Sequence, residues 1–184
     1  MRGNTDSRSG YLKQSIRAIL IAVERVLAHP WVCRGLLVGV LLLVFLEQLS
    51  AAQAKPFCYD ELMTVYVSSL RAPSLIRNAL SMGIDAMPLL YYFVTGQISR
   101  LPLDPHIAFR LLSIFGYLMG MLGIYAFVGR RYGPTMGLAA ALLLALSPFE
   151  YYATEARPYA VLVGLIAVAA AIWQRIDEQR WLAL

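Results

Sequence analysis

The chain has 184 residues and a formal net charge of +5, with 59% hydrophobic and 15% charged residues and a mean hydropathy of +0.61. A typical soluble domain is closer to half apolar and one quarter charged, so a soluble protein of this length could not bury so much hydrocarbon. The composition therefore predicts an all-α, polytopic membrane protein. Outside the short tails there is no solvated basic face, which argues against nucleic-acid binding.

The first predicted element is an amphipathic helix within a cytoplasmic N-terminal segment, residues 1–34. Apolar residues recur there at helical spacing, and charged residues fall on the other face. The apolar positions are Leu12, Ile16, Ile19, Val23 and Val26, and the charged positions are Lys13, Arg17 and Glu24. We expect this helix to lie on the cytoplasmic leaflet, most simply as an anchor.

Four apolar runs approach or exceed the length needed to cross the hydrocarbon core, about 17–25 helical residues. They lie at 35–53, 107–128, 134–149 and 158–173 and predict four spanning helices. The first run also resembles a signal-peptide core followed by an "AQA" cleavage motif, but its basic lead-in is too long for that class of segment. Cys33 and Cys58 flank this run. We therefore expect them on opposite sides of the bilayer, neither disulfide-bonded to each other nor part of a zinc site.

A fifth apolar run, 87–101, is short: at about 1.5 Å per residue it reaches roughly 22 Å, against a core of about 30 Å. If it does not cross, residues 1–34, 129–133 and 174–184 share one side of the membrane. Ten of the sixteen basic residues lie there: Arg2, Arg8, Lys13, Arg17, Arg25, Arg34, Arg130, Arg131, Arg175 and Arg180. By the positive-inside rule that side is cytoplasmic. The segment 54–106 is then an outer loop, in which 87–101 lies at the interface or dips into it.

This topology gathers polar residues from four distant parts of the chain at one water–lipid boundary. They are Asp60 and Glu61 in "CYDELMTVYV", Asp85 in "GIDAMPLLYY", Arg110 near the outer end of its helix, and Glu155, Arg157 and Tyr159 in "SPFEYYATEARPYA". Each also has an ordinary structural explanation. The acidic pair suits a helix start, Asp85 suits a turn, and Arg110 suits a side chain that snorkels to the interface. Glu155 and Arg157 could simply pair with each other, and the tyrosines could form an interfacial aromatic belt.

Taken together, several motifs resemble membrane glycosyltransferases of the GT-C class. They are "YDE" after the first span, a Pro-Leu-Tyr-Tyr helix, an Arg-led span with glycines, and "LLALSPFEYYATEARPYA". Within the class, the similarity is to protein O-mannosyltransferases and lipid A aminoarabinose transferases, and it runs from about residue 35 to 175. Relatives often carry His-Pro-Pro where this chain has Ala86-Met87-Pro88. Relatives also continue through further spans, so the resemblance implies that residues 35–184 are the N-terminal portion of such a module and that the chain is a fragment.

The resemblance implies that a sugar is transferred, with inversion, from a polyprenyl-phosphate donor to an acceptor hydroxyl on the outer face of the inner (plasma) membrane. Asp60 matches the first acid of the family's acidic pair and would be the catalytic base, while Glu61 would orient the acceptor or share a metal. Arg110 and Arg157 would bind the departing phosphate, because a guanidinium fork matches its oxygens. A phosphate leaving group is a weak base, so only one carboxylate is essential to take the acceptor's proton.

Supporting roles in such a site would fall to Asp85, Glu155 and Tyr159. A divalent cation is left open, with Asp60 and Glu155 as its candidate ligands. The sugar is also left open, and so is the acceptor, which could be a protein, lipid A or another glycan of the cell envelope.

Two other functions compete with glycosyl transfer. A transporter or lipid flippase usually places ionisable groups near the bilayer midplane. Here the charged residues within the predicted spans, Glu47 and Arg110, lie nearer the outer ends. A non-catalytic membrane subunit or a truncated remnant would fit the short chain.

Overall fold

The computed structural model describes residues 29–181, with side chains through Asp177. Its regular structure within this range is entirely helical, which confirms the predicted all-α class. The helices are α1 (Pro30–Ala54), α2 (Tyr59–Ser69), α3 (Pro73–Ser81), α4 (Leu89–Ile98), α5 (Pro105–Tyr132), α6 (Pro134–Ala145), a 3₁₀ helix (Pro148–Thr154) and α7 (Tyr159–Trp181). The predicted amphipathic helix of the N-terminal segment lies outside the described residues.

Three of these helices, α1, α5 and α7, are long and apolar enough to cross a membrane. A fourth crossing is formed only if α6 and the 3₁₀ helix count as one span, and their axes differ by 68°. The run predicted as a single span, 134–149, is therefore broken, and α6 ends at Ala145. Pro148 accounts for the break, because its ring disfavours helical geometry at the preceding residue, and Ser147 is extended with φ −86° and ψ 154°.

The helices have two polar ends, which we name by their residues. At the arginine end, Pro30 and Arg34 of α1 lie beside Arg130 of α5 and Pro134 of α6. At the carboxylate end, Glu61 contacts both Arg110 of α5 and the backbone of Ala156. Because Arg110 and Arg130 are about 30 Å apart along one helix, the bent segment from Pro134 to Ala156 runs the full length of α5.

The two cysteines are separated by α1. Cys33 is buried near its start, Cys58 is exposed beyond its end, and the two form no disulfide. This agrees with the expectation that they lie at opposite ends of the first span.

The fold is organised around α5, which contacts α1, α4, α6, α7 and the 3₁₀ helix. Its closest partner is α7, and small residues allow the two backbones to approach. A Cβ added at Gly116 would lie 2.5 Å from the Cα of Val161, and one added at Gly123 would lie 2.7 Å from the backbone of Ala167. Close backbone approach of this kind is how helices associate in lipid, where apolar burial alone gives little driving force.

We expect Gly116→Ala to lower the thermal stability of the protein in detergent. The new methyl group would meet backbone atoms of Val161 and Ala160, which cannot move aside as a side chain could. Overpacking of this kind typically costs about 1–3 kcal/mol. The matched control is Gly39→Ala on the exposed face of α1, where nothing lies within 4 Å, and its melting temperature should match that of the wild type. Equal melting temperatures for both variants would contradict the close α5–α7 contact.

Three short helices, α2, α3 and α4, connect the carboxylate end of α1 to α5. The helix predicted within 87–101 is α4, whose ten residues span about 15 Å, too little to cross the membrane core. It packs against α2, α3 and α5, and Gly96 lets its backbone touch the carbonyl of Ser68.

Large apolar side chains face outwards along the long helices, as expected for a protein solvated by lipid. Half or more of the residue surface is exposed at Val38, Leu42, Leu43, Leu46, Phe115, Leu162, Leu165, Ile166 and Ile172. The core is richer in small and polar residues by comparison, and it includes the fully buried Arg110 and Glu61. The chain is thus a multi-pass membrane protein in which the charged interior residues are concentrated at one end.

Candidate active site at the carboxylate end

The Glu61 carboxylate is the centre of this site. It lies in the first turn of α2 and is fully buried. Oε1 accepts hydrogen bonds from Nε of Arg110 at 2.8 Å and from the backbone N–H of Ala156 at 2.7 Å. Oε2 accepts from Nη2 of Arg110 at 2.8 Å and from the backbone N–H of Cys58 at 3.0 Å. Burial alone would raise the pKa of Glu61, but these hydrogen bonds from Arg110 and the two amides lower it below its ordinary value.

Arg110 is fully buried and uses every donor of its guanidinium within the protein. Besides its two bonds to Glu61, Nη1 donates to the carbonyls of Ala52 and Lys55 at 2.6 and 2.7 Å, and Nη2 donates to Pro56 at 3.1 Å. An arginine has five N–H donors, so none is left over for a substrate phosphate. The contacts therefore favour a role in which Arg110 fixes the end of α1 and the start of α2.

The segment Glu155–Arg157 is held against α5 at two points. Glu61 accepts the Ala156 N–H, and the buried hydroxyl of Ser113 donates to the carbonyl of Arg157 at 2.8 Å. Ser113 is one helical turn beyond Arg110, so the two side chains share one face of α5. This face holds the start of α2 through Arg110 and the segment Glu155–Arg157 through Ser113.

The side chain of Arg157 joins two of the predicted carboxylates. Its Nη1 donates to Oδ2 of Asp85 at 2.6 Å, and Nη2 lies 3.4 Å from Oδ1 of Asp60. Burial lowers the pKa of this guanidinium, but Asp85 and Asp60 more than offset that effect and raise its pKa above the ordinary value. Nε of Arg157 is buried and has no hydrogen-bond partner in the structure. A buried, unsatisfied N–H on a cation is a donor available to a bound anion.

Asp60 is the accessible acid of the pair. Its side chain is 68% exposed, whereas the side chain of its neighbour Glu61 is completely buried. The two adjacent residues point in different directions because they sit on one turn of α2, with Glu61 turned inwards to Arg110. Asp60 is therefore the carboxylate that an incoming molecule can reach.

Lys55 belongs to the site but was not among the residues singled out from the sequence. Its ammonium lies 4.0 Å from Oε1 of Glu155 and 3.9 Å from the centre of the Tyr151 ring. Glu155 in turn raises the pKa of the Tyr151 hydroxyl by accepting its hydrogen bond. Its position in the sequence could have indicated a role in the site, because Lys55 is the first charged residue after the first span and lies five residues ahead of Asp60.

An apolar cavity of about 240 Å³ opens beside Pro158 at the start of α7. It lies between α4, α5 and α7, and its lining includes Pro88, Tyr91, Leu112, Pro158 and Val161. Pro158 directly follows Arg157, so the cavity borders the segment that carries this arginine. This arrangement could hold a molecule with a hydrocarbon part in the cavity and an anionic group at Arg157.

The candidate metal ligands, Asp60 and Glu155, fit a divalent cation poorly, because each is already beside a cationic side chain, Arg157 and Lys55 respectively. Among the described residues, no group of three or more His, Cys, Asp or Glu side chains is close enough to hold a metal ion. Tyr159 packs edge-on against Tyr152, with ring centres 5.4 Å apart, and lines an aromatic surface with Phe149.

Comparison with known proteins gives one family match. The model of the dolichyl-phosphate-mannose-protein mannosyltransferase family matches residues 86–184, more than half of the chain. The matched segment contains Arg110, Glu155, Arg157 and Tyr159, while Asp60 and Glu61 precede it. The searches of curated proteins and of solved structures returned no match.

Proposed function

The chain belongs to the dolichyl-phosphate-mannose-protein mannosyltransferase family, and from this membership we propose that it transfers a sugar from a polyprenyl-phosphate donor to an acceptor hydroxyl. The observation that carries the proposal is the pairing of an exposed carboxylate, Asp60, with a buried guanidinium, Arg157, at 3.4 Å. The apolar cavity that borders Pro158, the residue after Arg157, supports a lipid-linked donor in particular.

The proposed reaction is a single displacement that inverts the anomeric centre. The acceptor oxygen forms a bond to the anomeric carbon as the bond from that carbon to the phosphate oxygen breaks. Asp60 takes the proton of the acceptor hydroxyl, a contribution that typically accelerates such a step about 100- to 10,000-fold. The electron pair of the broken bond leaves with the phosphate, whose negative charge Arg157 stabilises.

Within this proposal the other charged residues position the reacting groups. Asp85 holds Nη1 of Arg157, whereas Asp60 lies beside Nη2. Glu61 with Arg110 anchors the start of α2, which carries Asp60, and the segment that carries Arg157. This assigns the phosphate to Arg157 alone, in place of the pair of arginines expected from the sequence. Lys55 and Glu155 form the rim of the site towards Tyr151.

We propose that the carboxylate end faces the outside of the inner membrane and that the arginine end faces the cytoplasm. The sequence segments predicted to be cytoplasmic, 1–34, 129–133 and 174–184, carry ten of the sixteen basic residues, which supports this orientation under the positive-inside rule. A site at the boundary also suits the donor, because its lipid tail can stay in the bilayer while its sugar reaches water.

The test is a transfer assay on the full-length protein in membranes, with a panel of polyprenyl-phosphate sugars and with peptide, lipid and glycan acceptors. We expect one donor to yield a glycosylated acceptor whose anomeric configuration is opposite to that of the donor, as read by nuclear magnetic resonance. Retention of configuration would contradict the single displacement. No product from any donor would favour a non-catalytic subunit.

Arg157→Ala is expected to weaken donor binding by about 10- to 100-fold, because a charge-assisted hydrogen bond contributes about 1.5–3 kcal/mol. Arg157→Lys should recover only part of the affinity, since an ammonium keeps the charge but loses the fork. The measurement is the dissociation constant of the donor, with the KM of the acceptor as a second readout.

The control for this prediction is Asp85→Asn, which removes the charge of the closer carboxylate partner of Arg157 but keeps the guanidinium. If Arg157 served only to pair with Asp85, the two variants would have the same donor affinity. An affinity unchanged by Arg157→Ala would remove the phosphate role.

A further inference from the structure

Two consecutive hydrogen bonds connect the wall of the apolar cavity to the segment that carries Arg157. The hydroxyl of Tyr91 in α4 lies 3.3 Å from that of Ser113 in α5, and the Ser113 hydroxyl donates to the carbonyl of Arg157 at 2.8 Å. A serine has a single O–H, which here goes to Arg157, so Tyr91 is the donor to Ser113. All three residues are buried, with at most 6% of their surface exposed. Removing one hydroxyl would therefore leave its partner unsatisfied in a site that water does not reach.

The same three residues mark the walls of the cavity. Tyr91 lines it directly, while its hydroxyl is directed to Ser113. Leu112, which precedes Ser113, and Pro158, which follows Arg157, line it as well. Each member of the hydrogen-bonded series is thus a lining residue or the sequence neighbour of one. A molecule in the cavity would contact the elements that hold the Arg157 backbone.

The cavity suits a short piece of hydrocarbon chain. Its lining is apolar, and Leu90, Leu162 and Leu165 at its edge are each more than half exposed on the lipid-facing surface. Its volume of about 240 Å³ is below the roughly 300–1,000 Å³ of typical small-molecule sites. The cavity can therefore hold only part of a lipid chain, and the rest of the chain would lie in the bilayer.

We propose that this cavity binds the hydrocarbon units next to the phosphate of the sugar donor, and that Tyr91 and Ser113 are positioning residues that couple its occupancy to Arg157. The inference rests on the proposed function for the identity of the ligand, a polyprenyl phosphate. Hydrocarbon packed against Tyr91 would restrict this side chain and so keep both hydrogen bonds formed. The Arg157 carbonyl would then be fixed, while Glu61 already holds the N–H of Ala156. Such preorganisation lowers the cost of binding the phosphate.

The test compares a polyprenyl phosphate with the matching polyprenol, using the full-length protein in detergent micelles and dissociation constants from native mass spectrometry. The wild type should bind the phosphate more tightly, because the alcohol lacks the group that meets Arg157. Tyr91→Phe keeps the ring that lines the cavity and removes only the hydroxyl. We expect this variant to bind the phosphate about fivefold more weakly, the typical effect of one hydrogen bond, and to bind the alcohol as the wild type does.

Ser113→Ala interrupts the series one step closer to Arg157, so it should weaken phosphate binding at least as much. The double variant Tyr91→Phe with Ser113→Ala should lose no more affinity than Ser113→Ala alone, because the two hydroxyls act through each other. The matched control is Tyr117→Phe. Tyr117 is also buried and donates to the Leu144 carbonyl at 2.8 Å, but it does not line the cavity. This control should bind both ligands as the wild type does.

Three results would overturn the inference. The first is an equal loss of affinity for alcohol and phosphate in Tyr91→Phe, which would mean that the tyrosine only shapes the cavity. The second is unchanged phosphate binding in Tyr91→Phe, or additive losses in the double variant. The third is a wild type that binds the phosphate no more tightly than the alcohol. Because these measurements need no sugar transfer, the expected binding contrasts without a product from any donor would refute the transfer reaction alone.

Discussion

Asp60→Asn is expected to abolish sugar transfer while leaving expression, membrane insertion and thermal stability close to wild type. Asparagine has nearly the same shape as aspartate but cannot accept the proton of the acceptor hydroxyl, and losing a general base typically costs about 100- to 10,000-fold in rate. The side chain is 68% exposed, and its contact with Arg157 is at 3.4 Å, so little folding free energy depends on it. The measurements are kcat with the full-length enzyme and the melting temperature in detergent.

The matched control for Asp60→Asn is Asp104→Asn. Asp104 is also an exposed aspartate, and its carboxylate caps the start of α5 by accepting from the His106 N–H at 2.8 Å. Asparagine caps helices about as well as aspartate, so this variant should keep both its activity and its stability. If Asp60→Asn turned over at the wild-type rate, the base would have to be another group. If both variants lost activity equally, the effect would come from surface charge and not from proton transfer.

The sequence predicted that the segments carrying Asp60, Asp85 and Arg157 meet at the carboxylate end, although it did not indicate Lys55. Asp60, Asp85 and Arg157 are far apart along the chain, yet apolar run lengths and the positive-inside rule assign their segments to one boundary, and the structure joins them through Arg157. What sequence patterns could not distinguish is the role of each member. Asp60 and Glu61 are adjacent carboxylates, and only the rotation of α2 determines which one faces solvent and which one faces Arg110.

The same limit applies to the two arginines. Both were expected to hold phosphate, because a guanidinium near the end of a span is equally suited to a ligand and to backbone carbonyls. The carbonyls of Ala52, Lys55 and Pro56 that accept from Arg110 are exposed by the end of α1, and no side-chain pattern reports them. The break in the helix after Ala145 is easier to predict from the sequence, because Pro148 marks its position.

Glu61→Gln and Arg110→Met are each expected to destabilise the protein strongly, in contrast to Asp60→Asn. Removing one partner of a buried ion pair leaves the other charge unpaired and typically costs about 3–5 kcal/mol. In Glu61→Gln, an NH₂ group replaces one of the two carboxylate oxygens. Whichever oxygen it replaces, this group would face the N–H donors that the oxygen accepted, which are Arg110 and Ala156 at Oε1 or Arg110 and Cys58 at Oε2. The measurement is the loss of melting temperature and of folded yield in detergent.

Low pH should destabilise the protein through the same ion pair, Glu61 with Arg110. Because the pKa of Glu61 in the folded protein is below its ordinary value of 4.5, the carboxylate stabilises the fold fully above that value. This contribution is lost as the pH falls through the lower pKa of the folded state. In Glu61→Gln the titrating group is gone, so the acid-dependent part of the unfolding free energy should be smaller than in the wild type.

The double variant Glu61→Gln with Arg110→Met distinguishes a positioning pair from a phosphate ligand. If the two residues act mainly on each other, the double variant should lose clearly less stability than the two single losses combined, because no buried charge is left alone. Transfer should nevertheless stay low, since the Ala156 N–H is no longer held by a carboxylate and Arg157, the next residue, is displaced from Asp60. An Arg110→Met variant that kept its melting temperature and only lost donor affinity would contradict this assignment. Arg110 would then be a phosphate ligand, and its five hydrogen bonds within the protein would have to rearrange when the donor binds.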